Sequence, residues 1–237
     1  MKKKVSAVTL LIMVLFLINP INVGAAFDDF DHYFYGYYSS KAATNYASQY
    51  AKTRNSNYYS YSSDCTNFVS QCLYAGYFLM SNTAGKKSSK SGAANAETSD
   101  WYHVKCEVKD SFLGISYGSH TEWKVSTTFV RADKNSSSSG YGLFQFLTKK
   151  RNFSTFTSTN ASEIVKKARV GDIIQVARYG ETAKTHSVIV TGKTATDITI
   201  SYHTTDSKNV DFITYFMPRW DSVGFPITLI QLNGIYQ

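Results

Sequence analysis

The sequence has little cysteine: three in 237 residues. A small disulfide-stapled scaffold is therefore excluded, although other features point to export. Cys65 and Cys72 lie seven apart in one helical stretch, about 10 Å at 1.5 Å per residue. A disulfide needs a Cα separation below about 7 Å, so these two are not a pair. Cys106 could pair with Cys72, and at least one thiol is left over whichever pairing holds. The chain lacks HExxH and CxxC spacings, which removes the strong metal signatures. It also lacks a GxSxG elbow, which argues against a serine hydrolase. No internal repeat and no nucleic-acid-binding motif is present, and no cofactor is expected. The single long apolar run, from about Ala7 to Ile18, is shorter than the roughly 20 residues of a membrane span.

That run follows Lys2, Lys3 and Lys4 and precedes Gly24, Ala25 and Ala26. This is the pattern of a secretory signal peptide over residues 1–26, cleaved near Ala25 or Ala26. No cysteine follows it to carry a lipid anchor. The expected product is an extracellular protein, with residues 27–237 forming one domain. The formal charge of the whole chain is +8. Loss of the three leader lysines leaves the remainder basic. Its lysines are scattered, apart from Lys86–Lys87 and Lys149–Arg151, which suits an anionic cell surface better than a nucleic-acid groove. Solubility alone explains such a charge equally well.

The pattern of elements is helices first and strands later. KAATNYASQYA has apolar residues at helical spacing after Ser39 or Ser40 as a cap. In DCTNFVSQCLYAG, Cys65, Phe68, Val69, Cys72 and Leu73 fall on one helical face. Ser63 or Asp64 caps its start and Gly76 its end. From Ser81 to Asp100 the chain loses its large apolar residues and reads as a long loop, an insertion near 81–100. WYHVKCEV alternates like a strand. Ser111–Asn135 has no clear pattern, and SSSSG at 136–140 is a flexible joint. Short helices are expected in GLFQFLTKK, with Leu143, Phe146 and Leu147 inward, and around Ser162–Ala168. VGDIIQVAR, HSVIVTG, DITISYHTTD and PITLIQLNGIY read as strands of an antiparallel sheet. The fold class is α+β, an N-terminal helical part packed on a C-terminal antiparallel sheet.

Cys65 falls in the first turn of its helix, where free N–H groups and the helix dipole favour a thiolate nucleophile. The competing view is that Cys65 is a core residue, as Cys72 is expected to be. A cysteine nucleophile needs an imidazole and a third polar group that orients it. His186 opens the strand HSVIVTG, and His203 lies in the next strand across the turn GKTATD. A hairpin there brings His186 and the stretch Tyr202–Asp206 to one edge of the sheet. His203 or Asp206 is then the candidate orienting group. His32, His103 and His120 lack such context, and Asp172 in VGDII reads as a turn residue. A zinc site on His186 and His203 was weighed, but the ligand spacing for it is absent.

KAATNYASQYA, DCTNFVSQCLYAG, VGDIIQ, HSVIVTG and SYHT together resemble the putative amidase domain of secreted Gram-positive proteins. The order of Cys on a helix, GD at a strand start and His on the next strand is similar to CHAP and NlpC-type cell-wall hydrolases of the papain-like superfamily. The resemblance implies a papain-like (CHAP/NlpC-like) fold with Cys65 as nucleophile and His186 as general base. It places the third residue on the following strand, at His203, with Asp206 and Asn209 as alternatives. Ser81–Asn135 matches weakly, and YAGYF stands where such domains often carry a second glycine. The implied substrate is an amide in cell-wall peptidoglycan or a related peptide. The implied oxyanion donor is the Cys65 N–H, with a second from the Asn55–Tyr59 loop. Two other readings use the same residues: an exported wall- or glycan-binding module with an inactive Cys/His centre, and a thiol-dependent transacylase.

Overall fold

The computed structural model describes residues 38–84, 98–134, 140–177, 181, 183–220 and 224–232. The chain divides into Met1–Gly36 and Tyr37–Gln237. The leader, His32, most of the 81–100 loop and nearly all of the SSSSG joint lie outside the described residues.

Helix α1 spans Ser40–Tyr50 and starts as expected, with the Ser39 hydroxyl accepting from the Ala42 N–H. Ala43 and Ala47 form its buried stripe. Helix α2 spans Cys65–Ala75 and is buried from Cys65 through Leu73. Its burial is wider than one apolar face. The polar residues between are internal too, because each finds a hydrogen bond. Thr66 shares one with Ser187 (3.0 Å), Gln71 accepts from the Tyr46 hydroxyl (2.6 Å), and Ser70 accepts from the Trp101 indole (3.3 Å). Gly76 ends the helix where a Cβ would come within 2.5 Å of the Tyr38 ring.

Strands β1 (His103–Phe112) and β2 (Ile115–Val125) form a separate two-stranded ribbon. Its turn carries Leu113 at φ 49° and Gly114 at φ 82°, a geometry that twists with the strands. This hairpin and the short helix α3 (Thr127–Val130) occupy the stretch that had no clear pattern. Helix α4 (Leu143–Gln145) runs into a π-helical turn at Phe146–Lys150, with Leu143, Phe146 and Leu147 inward. After β3 (Ser154–Ser158) and α5 (Ala161–Lys167) come β4 (Ile173–Ala177), β5 (Lys184–Lys193), β6 (Ile198–Tyr202) and β7 (Ser207–Asp211). A second π-helical turn (Phe212–Phe216), α6 (Met217–Arg219) and β8 (Ile227–Gln231) complete the order.

The main sheet is antiparallel throughout, in the order β3-β8-β4-β5-β6-β7. Alternation along its strands sends side chains to two cores. Ile173, Ile189 and Ile230 meet Phe68, Val69, Cys72 and Leu73 of α2. Ile174, Val188, Ile200 and Leu229 meet Ile164 of α5 with Phe212 and Phe216. The chain is thus α+β, its N-terminal helices on one face of an antiparallel sheet. Among the described residues no helix is long and apolar enough to cross a membrane. Strands β3 and β7 have no counterpart in the sequence reading. They are the two edge strands and mostly exposed, so STFTS and SKNVD lack the apolar alternation of an inner strand.

Asp172 is a structural turn residue: its carboxylate accepts from the Arg169 and Leu232 N–H groups (both 2.8 Å). Gly171 before it has φ +95°, and a Cβ there would lie 2.4 Å from that of Ser40. His120 bridges Asp110 (2.6 Å) and Glu122 (3.1 Å) on the hairpin. His103 is buried at the hairpin base among Tyr58, Trp123 and Phe129, with ring centroids 5.1–5.3 Å apart. Burial pushes its pKa down to about 4. Above pH ~6.5 both folded and unfolded chains hold this ring neutral. Between ~6.5 and ~4 the unfolded chain takes a proton that the folded chain refuses, so stability falls with pH in that window. The loss is on the order of 3 kcal/mol. Denaturant melts of wild type and His103→Phe across pH 4–7 should show a shallower acid decline in the variant. An unchanged slope would mean that His103 is not held neutral.

Candidate active site

Asp64 takes the N-cap position of α2, but its side chain does not cap the helix. Oδ1 accepts from the Tyr61 N–H (3.0 Å) and from the Asn67 amide (2.7 Å). Oδ2 faces His203 Nδ1 at 2.6 Å and the Arg54 Nε at 3.2 Å. The sequence reading made Asp64 only a cap. The structure makes it the carboxylate partner of a histidine 139 residues away. No periodicity or spacing carries that pairing, because it depends on how α2 docks on the sheet.

Cys65 follows as the first residue of α2. The helix's own ladder begins with the Phe68 N–H donating to the Asp64 carbonyl (2.9 Å), so the N–H groups of Cys65, Thr66 and Asn67 precede it. The thiol is 5% exposed. Sγ lies 3.9 Å from the Thr185 carbonyl oxygen and 3.8 Å from the Thr66 hydroxyl. The Ser187 backbone N–H lowers the pKa of the thiol. The Thr185 carbonyl and the Ser187 N–H belong to the two peptide units on either side of His186. The thiol therefore faces the β5 backbone at His186, whereas the His186 ring lies with the second core, against Tyr202, Phe216 and Trp220.

The electrostatics differ from the expected thiolate. Burial pushes the Cys65 thiol up; the Ser187 N–H and the Thr66 hydroxyl and N–H pull it partly back, and the Asp64 charge adds to the rise. Desolvation here outweighs the helix terminus. Cys72 is fully buried and burial pushes its thiol up further. All three cysteines are free thiols, and Cys106 donates to the Glu122 carbonyl on the hairpin (3.4 Å) instead of pairing with Cys72.

The His186 ring is 3% exposed and stacks on Trp220, with centroids 4.3 Å apart and planes at 28°. Phe216 stacks at 5.9 Å and Tyr202 meets the ring edge-on at 5.0 Å. The Trp220 indole N–H donates to the Ala177 carbonyl (3.2 Å), which fixes the platform. The sequence reading gave Trp220 no role, since it lies in an irregular turn. The contact with Tyr202 puts the start of β5 beside the end of β6, as the hairpin argument requires.

His203 is fully buried, with Nδ1 at Asp64 and Nε2 at the Tyr50 carbonyl (2.8 Å). Phe68 stacks on its ring at 4.1 Å. Both nitrogens are thus engaged with the helices and not with His186. Asp206 joins the same network through Arg54 Nη1 (2.8 Å). Asn209 does not: its backbone N–H donates to the Ser201 hydroxyl (3.0 Å), and that hydroxyl donates to its Oδ1 (3.3 Å). In the Asn55–Tyr59 loop, the Asn55 amide donates to the Tyr46 hydroxyl (3.0 Å). Among the described residues no group of three or more His, Cys, Asp or Glu is placed to hold a metal ion.

The site thus sets a buried cysteine at a helix start against the histidine-bearing strand β5 of an antiparallel sheet. The chain belongs to the putative amidase domain family, whose model matches residues 37–225. The match spans both helices, the hairpin and most of the sheet. Membership places the chain among hydrolases acting on amide bonds. Searches of curated proteins and of solved structures gave no match.

Thiol reactivity checks the electrostatics. Alkylation of Cys65 by iodoacetamide, followed by peptide mass spectrometry, should show a midpoint above the ordinary thiol value of about 8.5. Cys72 should react only on unfolding. A Cys65 midpoint below that value would mean that the helix terminus, not burial, governs the free protein.

Proposed function

We propose that the protein is a secreted, cysteine-dependent amidase of papain-like fold that cleaves an amide in cell-wall peptidoglycan or a related peptide. One observation carries the reading: the Cys65 thiol, at the N-terminus of α2, lies 3.9 Å from the Thr185 carbonyl oxygen, in the peptide unit that leads into His186. The leader-like N-terminus and the basic charge support export and attraction to an anionic wall. The match to the putative amidase domain over residues 37–225 supports the enzyme over the glycan-binding alternative.

The chemistry follows from a resting thiol. Cys65 attacks the amide carbonyl as its proton passes to the His186 imidazole. The carbonyl oxygen becomes an oxyanion, which the Cys65 N–H at the helix start stabilises. The imidazolium then gives its proton to the leaving nitrogen. The C–N bond breaks, the amine departs and a thioester remains. His186 next takes a proton from water as the water attacks the thioester. The carboxylate product leaves and the proton returns to sulfur.

Cys65→Ala and Cys65→Ser should lower release of new amino termini from purified sacculi by at least about 10³-fold. The termini, identified by mass spectrometry, would name the bond cleaved. Cys72→Ser should lower the melting temperature and leave the chemistry in place. Undiminished release by Cys65→Ala would rule out a cysteine nucleophile.

A further inference from the structure

His203 is held in a way that a group orienting His186 would not be. Its Nε2 faces the Tyr50 carbonyl, which can only accept, so that nitrogen carries a proton. Its Nδ1 faces a carboxylate oxygen of Asp64 at 2.6 Å. The two form a buried pair, each side chain 1% exposed. Arg54 reaches the same Asp64 oxygen (3.2 Å) and continues to Asp206 (2.8 Å). Arg54 thus ties the buried Asp64 to Asp206, and a buried carboxylate gains a charged partner as well as the His203 ring.

This network joins three segments that are distant in sequence. Tyr50 is the last residue of α1, and Asp64 is the residue before Cys65. His203 to Asp206 form the turn after β6, where Thr204 and Asp206 sit at φ 88° and 47°. Asp64 also holds the approach to α2 through the Tyr61 N–H. We infer that the Asp64–His203 pair, closed by Arg54, is a positioning device that sets Cys65 against β5, and that it takes no part in proton transfer. The inference rests on the reading of Cys65 as the nucleophile.

The test uses the full-length chain with Asp64→Asn, His203→Gln, their double variant and Arg54→Gln. The readouts are kcat, KM, the pH profile of kcat/KM, the rate of Cys65 alkylation and the melting temperature. The two buried substitutions should lower kcat roughly 10- to 100-fold, change KM less than about threefold and alter the Cys65 alkylation rate. Both limbs of the pH profile should stay where they are in wild type. The double variant should be no worse than the worse single one, because the pair acts as a unit. A limb that shifts or disappears in His203→Gln, with alkylation unchanged, would overturn the inference and put His203 in the proton path. Unchanged kcat and alkylation in the folded variants would overturn it too. If the buried variants do not fold, Arg54→Gln decides. This side chain is about one-third exposed; a three- to tenfold fall in kcat without a limb shift supports the device, and no change overturns it. Turnover by Cys65→Ala would instead refute the cysteine mechanism, while the alkylation rates would still report on positioning.

Discussion

A helix buried along most of its length needs partners for the polar side chains it carries, and α2, buried from Cys65 through Leu73, is such a helix. Leaving one buried donor or acceptor without a partner costs about 1–3 kcal/mol. Thr66, Asn67, Ser70 and Gln71 therefore dictate their neighbours. Thr66 requires Ser187 of β5, Ser70 requires Trp101, and Gln71 requires Tyr46 of α1. The Asn67 amide reaches both Asp64 and the Tyr59 carbonyl (2.9 Å). These bonds fix α2 by direction as well as by apolar contact. Cys65 inherits its place from them, because Thr66 and Ser187 meet one residue beyond Cys65 and His186.

The same enclosure creates a tension between position and reactivity. Water excluded from the thiol strengthens every dipole aimed at it but raises the cost of a thiolate. Here the cost prevails and the resting group is protonated. His186, on the other side of the sheet, is held in orientation by its packing on Trp220, Phe216 and Tyr202.

Much of the fold could be read from local pattern. Helix α1 with its Ser39 cap, the Cys65 helix ending at Gly76, the inner strands β4, β5, β6 and β8, and the turn role of Asp172 all follow from spacing and residue type. The β1–β2 ribbon was legible in its first strand only. Its turn is Leu113–Gly114, not an Asn-Gly or Asp-Gly signal, and β2 is largely polar and exposed. The edge strands β3 and β7 escaped for the same reason. In the site, Cys65, His186 and His203 stood out because chemistry marks them. Asp64, Arg54 and Trp220 did not, because a helix cap, a surface cation and a loop aromatic each have an ordinary local explanation.

The sequence alone determined the main helices, the inner strands and which side chains are suited to covalent chemistry, since these depend on neighbours within a few residues. The tertiary structure decided the partnerships. It committed His203 to Asp64 and Tyr50, brought Trp220 under His186 and turned the polar side of α2 inward. The physical reason is that burial acts across the whole chain. Desolvation and the need to pair each buried charge are set by residues up to 153 positions apart, and no local pattern records them.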